Sequence, residues 1–270
     1  MHKQNTLQFN VADMNVGKWQ LCTKAASYSF GRRLYRLQQD QHAYWLKTQV
    51  KAINPVVEKN YLREVKFYQM MQGQLDCLLP MQYIDLSIHP EFTDHYPSFI
   101  LPHATSWLKD PDDLSLMGVK QKIFEIAVAL EALFNVGYLH ADLKQEHFVC
   151  WQGQLKLLDF EQVLYRGQQH SHLSATPRYM APELFQGQPK SLATELYALG
   201  IILYEWLSGQ RLSAKSYMDW AYLHCQHLEI QLPERYQSFL SLIKALTFKH
   251  QHNRLTDISA LKQQILLINC

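Results

Sequence analysis

One change of period limits what this sequence can fold into. Up to about residue 102 its apolar residues fall in short alternating runs bounded by polar turns, and from about residue 118 they recur at helical spacing. A chain ordered in this way segregates its strands from its helices. The prediction is an α+β fold, with a β-rich N-terminal lobe over 1–102 that carries one helix and a mostly helical C-terminal lobe over 103–270. The join falls in the short link around Leu101 to Thr105. A length of 270 residues suffices for one large or two modest domains and a sizeable core.

In the first part, SYSFGRRLYRL (27–37), the polar turn QQDQ and HAYWLKTQV (42–50) predict a hairpin with Lys47 near its end. NYLREVKFYQMM (60–71) predicts a helix whose Leu62, Val65, Tyr68 and Met71 share a face, leaving Arg63, Glu64 and Lys66 on the others. LPMQYIDLSI and YPSFILPH read as further strands. In the second part, the run from Val119 to Tyr138 puts Ile123, Ile126, Ala127, Leu130, Leu133 and Phe134 on one stripe and stops near Gly137. Later helices are predicted around 194–208, 216–225, 235–247 and 256–268.

Hydrophobic content of 47%, charged content of 19% and a net charge of +2 exclude a disordered chain and a nucleic-acid-coating one, so no nucleic-acid partner is expected. Five scattered cysteines (Cys22, Cys77, Cys150, Cys225, Cys270) without CxxC spacing read as reduced thiols, which favours the cytoplasm. The polar N-terminus MHKQNTLQFN has no apolar core. YALGIILYEWL (197–207) is too short to span a membrane and reads as a buried helix.

HADLKQEHFV (140–149) follows the long helical run and precedes LKLLDFEQ (155–162). Together with TPRYMAPE, ELYALGIILYEWLSG and NRLT, in this order and at these intervals, they make the chain resemble the protein-kinase fold over nearly all its length. The resemblance implies phosphoryl transfer from ATP with Mg²⁺ or Mn²⁺, an activity that rests on positioned charge and metal. Lys47 would bind the α- and β-phosphates, held by Glu64. Asp142 would accept a hydrogen bond from the acceptor hydroxyl, Lys144 would neutralise the moving phosphoryl group, and Asp159 would hold the metal. His140 and Phe160 would pack with Tyr68. Glu183 and Arg254 would form a buried pair, and Glu195 would anchor the catalytic-loop backbone where the family usually has aspartate. Lys144 and Thr176 match the Ser/Thr pattern, implying a protein substrate, while Ala141, in place of an arginine, implies constitutive competence or control by a regulatory protein partner.

Several positions depart from the family pattern. Of three glycines expected in the phosphate loop, ASYSFG (26–31) keeps only Gly31, which weakens the cradle of backbone N–H groups. Arg32 and Arg33 either compensate by charge or, as is commoner on a hairpin, form a solvated face. Trp45 stands where a small residue faces adenine, so it reshapes or fills that pocket. Pro102 in the hinge has no N–H, leaving Leu101 C=O and His103 N–H to meet adenine. Ala141 replaces an arginine that receives activation-loop phosphate, so ordering of 159–183 is not expected to depend on that route. His147 replaces a metal-binding amide. It is either a ligand, one that favours Mn²⁺, or a residue that hydrogen-bonds Asp142 or the loop backbone; Glu161 lending the missing oxygen and a single-ion site are further alternatives. RRLYRLQQDQHAYWLK and Glu161 resemble, more weakly, bacterial lipopolysaccharide-core kinases. Three functions are therefore carried forward: a Ser/Thr protein kinase, a pseudokinase scaffold or binding module, and a kinase of a sugar, lipid or antibiotic hydroxyl.

Overall fold

A computed structural model of the chain describes residues 7, 9, 19–39, 41–87, 89–168 and 175–269. Asp40 of the predicted turn, part of the N-terminal stretch, residues 169–174 of the activation segment, and Cys270 lie outside the described residues. Two compact units emerge: residues up to Thr105 together with Trp151–Glu161, and Ser106–Cys150 together with Gln162 onward. The first therefore runs past Pro102 and takes in the DFE segment as well.

In the first unit, strands β1 (Gln20–Leu21), β2 (Arg32–Gln39), β3 (His42–Gln49), β4 (Gln82–Ile84) and β5 (Ser98–Pro102) form one antiparallel sheet in the order β1-β2-β3-β5-β4. Alternation along β3 buries Tyr44 and Leu46 on one face and leaves Ala43, Trp45 and Lys47 partly exposed on the other. The buried face joins Leu37, Ile84, Leu86, Phe92, Ile100 and Phe9 in a core that Trp19 and Tyr35 flank. Register is fixed by that pattern, because a slip of one residue would turn Lys47 into the core.

The predicted strand from Ser27 is interrupted. Residues Ala25–Ser29 form a helical turn, α1, and Gly31 takes a left-handed φ of 86° before β2 begins. A side chain at Gly31 would also meet Gln49 Nε2 at 2.5 Å. Helix α2 (Pro55–Met71) starts as its sequence dictates: Asn54 accepts from the N–H groups of Val56 and Val57, and Pro55 occupies a position that needs no N–H. Its buried face differs from the predicted one. Tyr61, Glu64, Phe67 and Tyr68 are inside with Val65, whereas Leu62 is exposed. The aromatic rings set the helix phase, and the Tyr61 hydroxyl donates to Pro97 C=O at 2.6 Å. Glu64 is thereby turned inward.

In the second unit, α3 (Leu116–Asn135) is capped by Ser115, which accepts from Gly118 N–H at 3.0 Å. It buries the predicted stripe, with Phe134 half-buried at its end. After α4 (Pro182–Phe185) comes α5 (Leu192–Ser208), opened by a Ser191/Thr194 capping box, closed by left-handed Gly209 and buried almost along its whole length. Helix α7 (Leu240–Thr247) packs on α5 at Gly200, where a Cβ would lie 2.7 Å from Leu246 and Thr247 side-chain atoms. Helix α6 (Tyr217–Tyr222) continues as a π-turn, Leu223–His227, and α8 (Ile258–Leu266) packs on α3. Among the described residues no helix is long and apolar enough to cross a membrane. Cys22, Cys77, Cys150 and Cys225 are free thiols.

Candidate active site

The first unit gathers charge around Lys47. Its ammonium lies 2.6 Å from Glu64 Oε2, 2.7 Å from Glu161 Oε1 and 3.4 Å from Asp159 Oδ1. Burial opposes the charge, but Asp159, Glu161 and Glu64 outweigh it and hold the Lys47 pKa well above its ordinary value. Burial pushes the Glu64 carboxyl up, to about 7, against the pull of Lys47. The second oxygen of Glu64 accepts from Phe160 N–H at 3.2 Å. Phe160 itself is fully buried, stacked on Phe67 at 4.6 Å and perpendicular to Tyr68 at 5.6 Å, so the Asp-Phe-Glu segment is anchored from both backbone and ring. Asp159 sits at φ 64°, a conformation that costs about 1–3 kcal/mol outside glycine and concentrates at functional sites.

Glu161 is the residue whose weight the sequence understated. One carboxylate oxygen meets Lys47 and the other pairs with Arg32, while Arg63 Nη1 donates to its carbonyl at 2.6 Å. Arg32 is thus not on a solvated face. Arg33 is different: its guanidinium lies 3.4 Å from the Tyr28 ring centroid, on the hairpin. Carboxylate oxygens of Glu64, Asp159 and Glu161 all come within 4.8 Å of one another. This all-oxygen set fits a hard divalent cation such as Mg²⁺ or Mn²⁺.

Three predicted nucleotide contacts, Gly31, Leu101 and His103, take other partners. Three N–H groups of the eroded phosphate loop are taken up by its helical turn: Tyr28 donates to Lys24 C=O at 2.9 Å, Phe30 to Ser27 at 3.3 Å and Gly31 to Tyr28 at 3.0 Å. Gly31 serves the left-handed turn, not a phosphate cradle. In the hinge, His103 N–H donates to Ala43 C=O at 2.8 Å, so it is not directed at a base. Leu101 lies opposite Trp45 in the same ladder, and alternation places that pair in the same hydrogen-bonded class as 43/103. Leu101 C=O is therefore turned to β3. The sequence shows residue types at these positions but not the direction of their backbone groups, which register alone sets.

The second unit holds the acid-base half. Ala141, at φ 65°, and His140 donate their N–H groups to the two oxygens of Glu195, at 2.8 and 3.0 Å, and Lys190 Nζ donates to Ala141 C=O at 2.5 Å. Burial raises the Glu195 pKa, opposed by His140 and by the two N–H donors. The extra methylene relative to aspartate is accommodated. On this anchored loop, Asp142 Oδ1 accepts from the Thr176 hydroxyl at 3.0 Å and Oδ2 lies 2.9 Å from Lys144 Nζ. His147 ends a short turn, Gln145–His147, and its buried ring stacks on His140 at 5.3 Å. Arg254 pairs with both oxygens of Glu183 at 2.6 and 3.0 Å and also donates to Ala193 C=O, 3.1 Å away.

The first unit thus holds Lys47 paired with Glu64, and Asp159 followed by the buried Phe160, and the second holds Asp142 between Lys144 and Thr176. Residues 38–266 match the model of the protein kinase domain. The chain belongs to that family. This kinase domain is 32% identical over 104 residues to a probable cAMP-dependent protein kinase catalytic subunit of Encephalitozoon cuniculi (strain GB-M1), covering 38% of this chain and 32% of the relative. It is 30% identical over 145 residues to serine/threonine-protein kinase TIO of Arabidopsis thaliana, covering 49% and 10%. To serine/threonine-protein kinase YPK2/YKR2 of Saccharomyces cerevisiae (strain ATCC 204508 / S288c) it is 26% identical over 204 residues, covering 73% and 30%. The kinase chain thus spans about a third or less of the length of these relatives.

Proposed function

We propose that the chain transfers the terminal phosphoryl group of ATP to a serine or threonine hydroxyl of a protein. The observation that carries this reading is the state of Asp142: one carboxylate oxygen already accepts from a hydroxyl, that of Thr176, and the other is neutralised by Lys144. A carboxylate so held orients an acceptor hydroxyl without competing for its proton in the ground state. Lys47 binds phosphate oxygens, and Glu64 keeps it extended. Asp159, with Glu161, supplies the oxygens for Mg²⁺ or Mn²⁺, which when bound neutralises phosphate charge. The stacked His140 ring supports a role for His147 in holding the loop, in place of metal ligation. Radiolabel transfer to a Ser/Thr peptide mixture tests the reading. Asp142→Asn is expected to lower the rate by roughly 10²–10⁴ while leaving nucleotide affinity, measured by calorimetry, within twofold or so. Wild-type transfer by that variant would overturn the role of Asp142.

One observation favours a scaffold as the second reading: Lys47 and Arg32 are already saturated by carboxylates. A scaffold would give no transfer in wild type or variant with either metal.

A further inference from the structure

Between Trp19 and Leu75 the chain carries nine lysines and arginines against three carboxylates. Two of those carboxylates are spent inside the fold. Glu64 faces Lys47, and Glu58, also buried, accepts from the N–H groups of Ile53 and Asn54 at 2.9 and 3.0 Å and from the Tyr96 hydroxyl at 3.0 Å. The third, Asp40, lies outside the described residues. The solvent face of α2 consequently shows cations and apolar side chains and no acid. At about 100° per residue, Val56, Lys59, Leu62, Lys66 and Met70 fall on one stripe about 120° wide, and all five are exposed.

The stripe continues onto the loop before it. Glu58 holds the backbone at Ile53 and Asn54, Ala52 takes a left-handed φ of 60°, and Lys51 and Ile53 on either side of it are exposed. A Cβ at Gly31 would lie 3.1 Å from Ile53 Cβ, so this loop abuts the turn that follows α1. There Lys24, Tyr28 and Phe30 are exposed, and the Arg33 guanidinium lies on the Tyr28 ring. Tyr28, Phe30, Ile53 and Val56 are exposed by 46%, 48%, 51% and 59%. Neighbouring apolar side chains left in water and rimmed by charge mark an interaction surface. Among the described residues Lys24, Arg33, Lys51, Lys59 and Lys66 make no ion pair. Asp94, whose C=O accepts from Lys51 N–H, marks the margin of the surface.

Basic and apolar side chains interleaved without carboxylates fit the anionic face of a lipid bilayer. Its charge is spread over a plane and asks for no fixed geometry, so unpaired lysines suffice, while Phe30, Ile53 and Val56 are of the type that enters the boundary between headgroups and acyl chains. An acidic polypeptide would need defined hydrogen bonds as well, and the mid-helix backbone of α2 is paired within the helix.

We propose that this face of the first unit binds anionic lipid headgroups at a bilayer surface, a property that does not depend on phosphoryl transfer. Sedimentation of the full chain with vesicles of phosphatidylcholine alone, or of phosphatidylcholine and phosphatidylserine in equal parts, tests it. Binding is expected with the anionic vesicles only, and it should weaken between about 0.1 M and about 1 M salt, where the screening length falls from about 10 Å to about 3 Å. Lys59→Gln with Lys66→Gln should weaken it roughly twenty-five-fold, at about fivefold per lysine. Ile53→Ser with Val56→Ser should weaken it roughly tenfold, the share of two half-inserted aliphatic side chains. All four positions are exposed, and unchanged melting temperatures separate lost binding from lost fold. Soluble polyglutamate has no boundary to enter and should displace the chain only in large excess. No sedimentation with anionic vesicles, or binding that neither double variant alters, would overturn the proposal. Displacement by polyglutamate at equal charge would overturn it too and assign the surface to an acidic polypeptide.

Discussion

Glu161 would govern how the proposed phosphate anchors behave. Lys47 and Arg32 are the cations that a triphosphate would claim, and Glu161 holds both. Carboxylate and phosphate accept the same charge-assisted hydrogen bonds, so without metal they compete for one pair of donors. Asp159 and Glu161 would hold a divalent cation together, which would give the Glu161 carboxylate another partner and free those donors. Glu161→Gln is therefore expected to tighten metal-free ATP binding by about tenfold, the scale of one charge-assisted contact, and to reduce the gain that Mg²⁺ brings. Calorimetry with and without chelator measures both. An unchanged metal-free affinity would show that Glu161 does not compete for the anchors.

Elements carry the stability predictions, and they mark how far the sequence could be read. Arg254 is fully enclosed and holds Glu183 through two hydrogen bonds, tying α4 to the loop after α7. Glu183→Ala leaves that guanidinium buried and unpaired, at a cost of about 3–5 kcal/mol. The double variant with Arg254→Leu should recover part of the loss, and additive losses in denaturant titrations would sever the pair. In the π-turn after α6, His224 accepts or donates a 2.8 Å bond with the Tyr197 hydroxyl, and burial lowers its pKa to about 4. The unfolded chain takes up this proton near the ordinary value of 6.5 and the folded chain does not. Stability is therefore complete above 6.5, falls as pH drops towards 4, and loses about 3 kcal/mol from this group. His224→Gln should flatten that limb of a Tm–pH curve; an identical curve would remove His224 as its cause. Tyr197 lies in a helix whose apolar period was plain, and the Glu183–Arg254 pair was legible from APE and NRLT. What stayed illegible was direction: the phase that turns Glu64 inward in α2, the helical turn that takes up the Tyr28, Phe30 and Gly31 amides, and the register that spends His103 N–H. Each is decided by partners remote in sequence, such as Pro97, Gln49 and Ala43.

For the whole molecule, the machinery is divided between its two compact units, with Lys47, Glu64, Asp159 and Glu161 in one and Asp142, Lys144 and Thr176 in the other. On the proposed function, nucleotide binding would fall to the first unit and acceptor activation to the second, and ligand linkage separates the two roles. A ligand that binds the folded state alone stabilises it by about 2.7 kcal/mol at a hundredfold excess over its dissociation constant. For a chain of this size that raises Tm by about 5 °C if unfolding is one transition. Should the units unfold separately, the shift belongs to the transition of the unit that carries Lys47. Scanning calorimetry with Mg²⁺ and ATP is expected to show this shift in the wild type and in Asp142→Asn, whose lost group addresses the acceptor. Lys47→Ala removes the proposed phosphate anchor and leaves Glu64 buried without its counter-charge, so it should lower the starting Tm and abolish the shift. A shift retained by Lys47→Ala would place the phosphates elsewhere. No shift in wild type, with either Mg²⁺ or Mn²⁺, would make the carboxylates around Lys47 its permanent partners and the chain a scaffold.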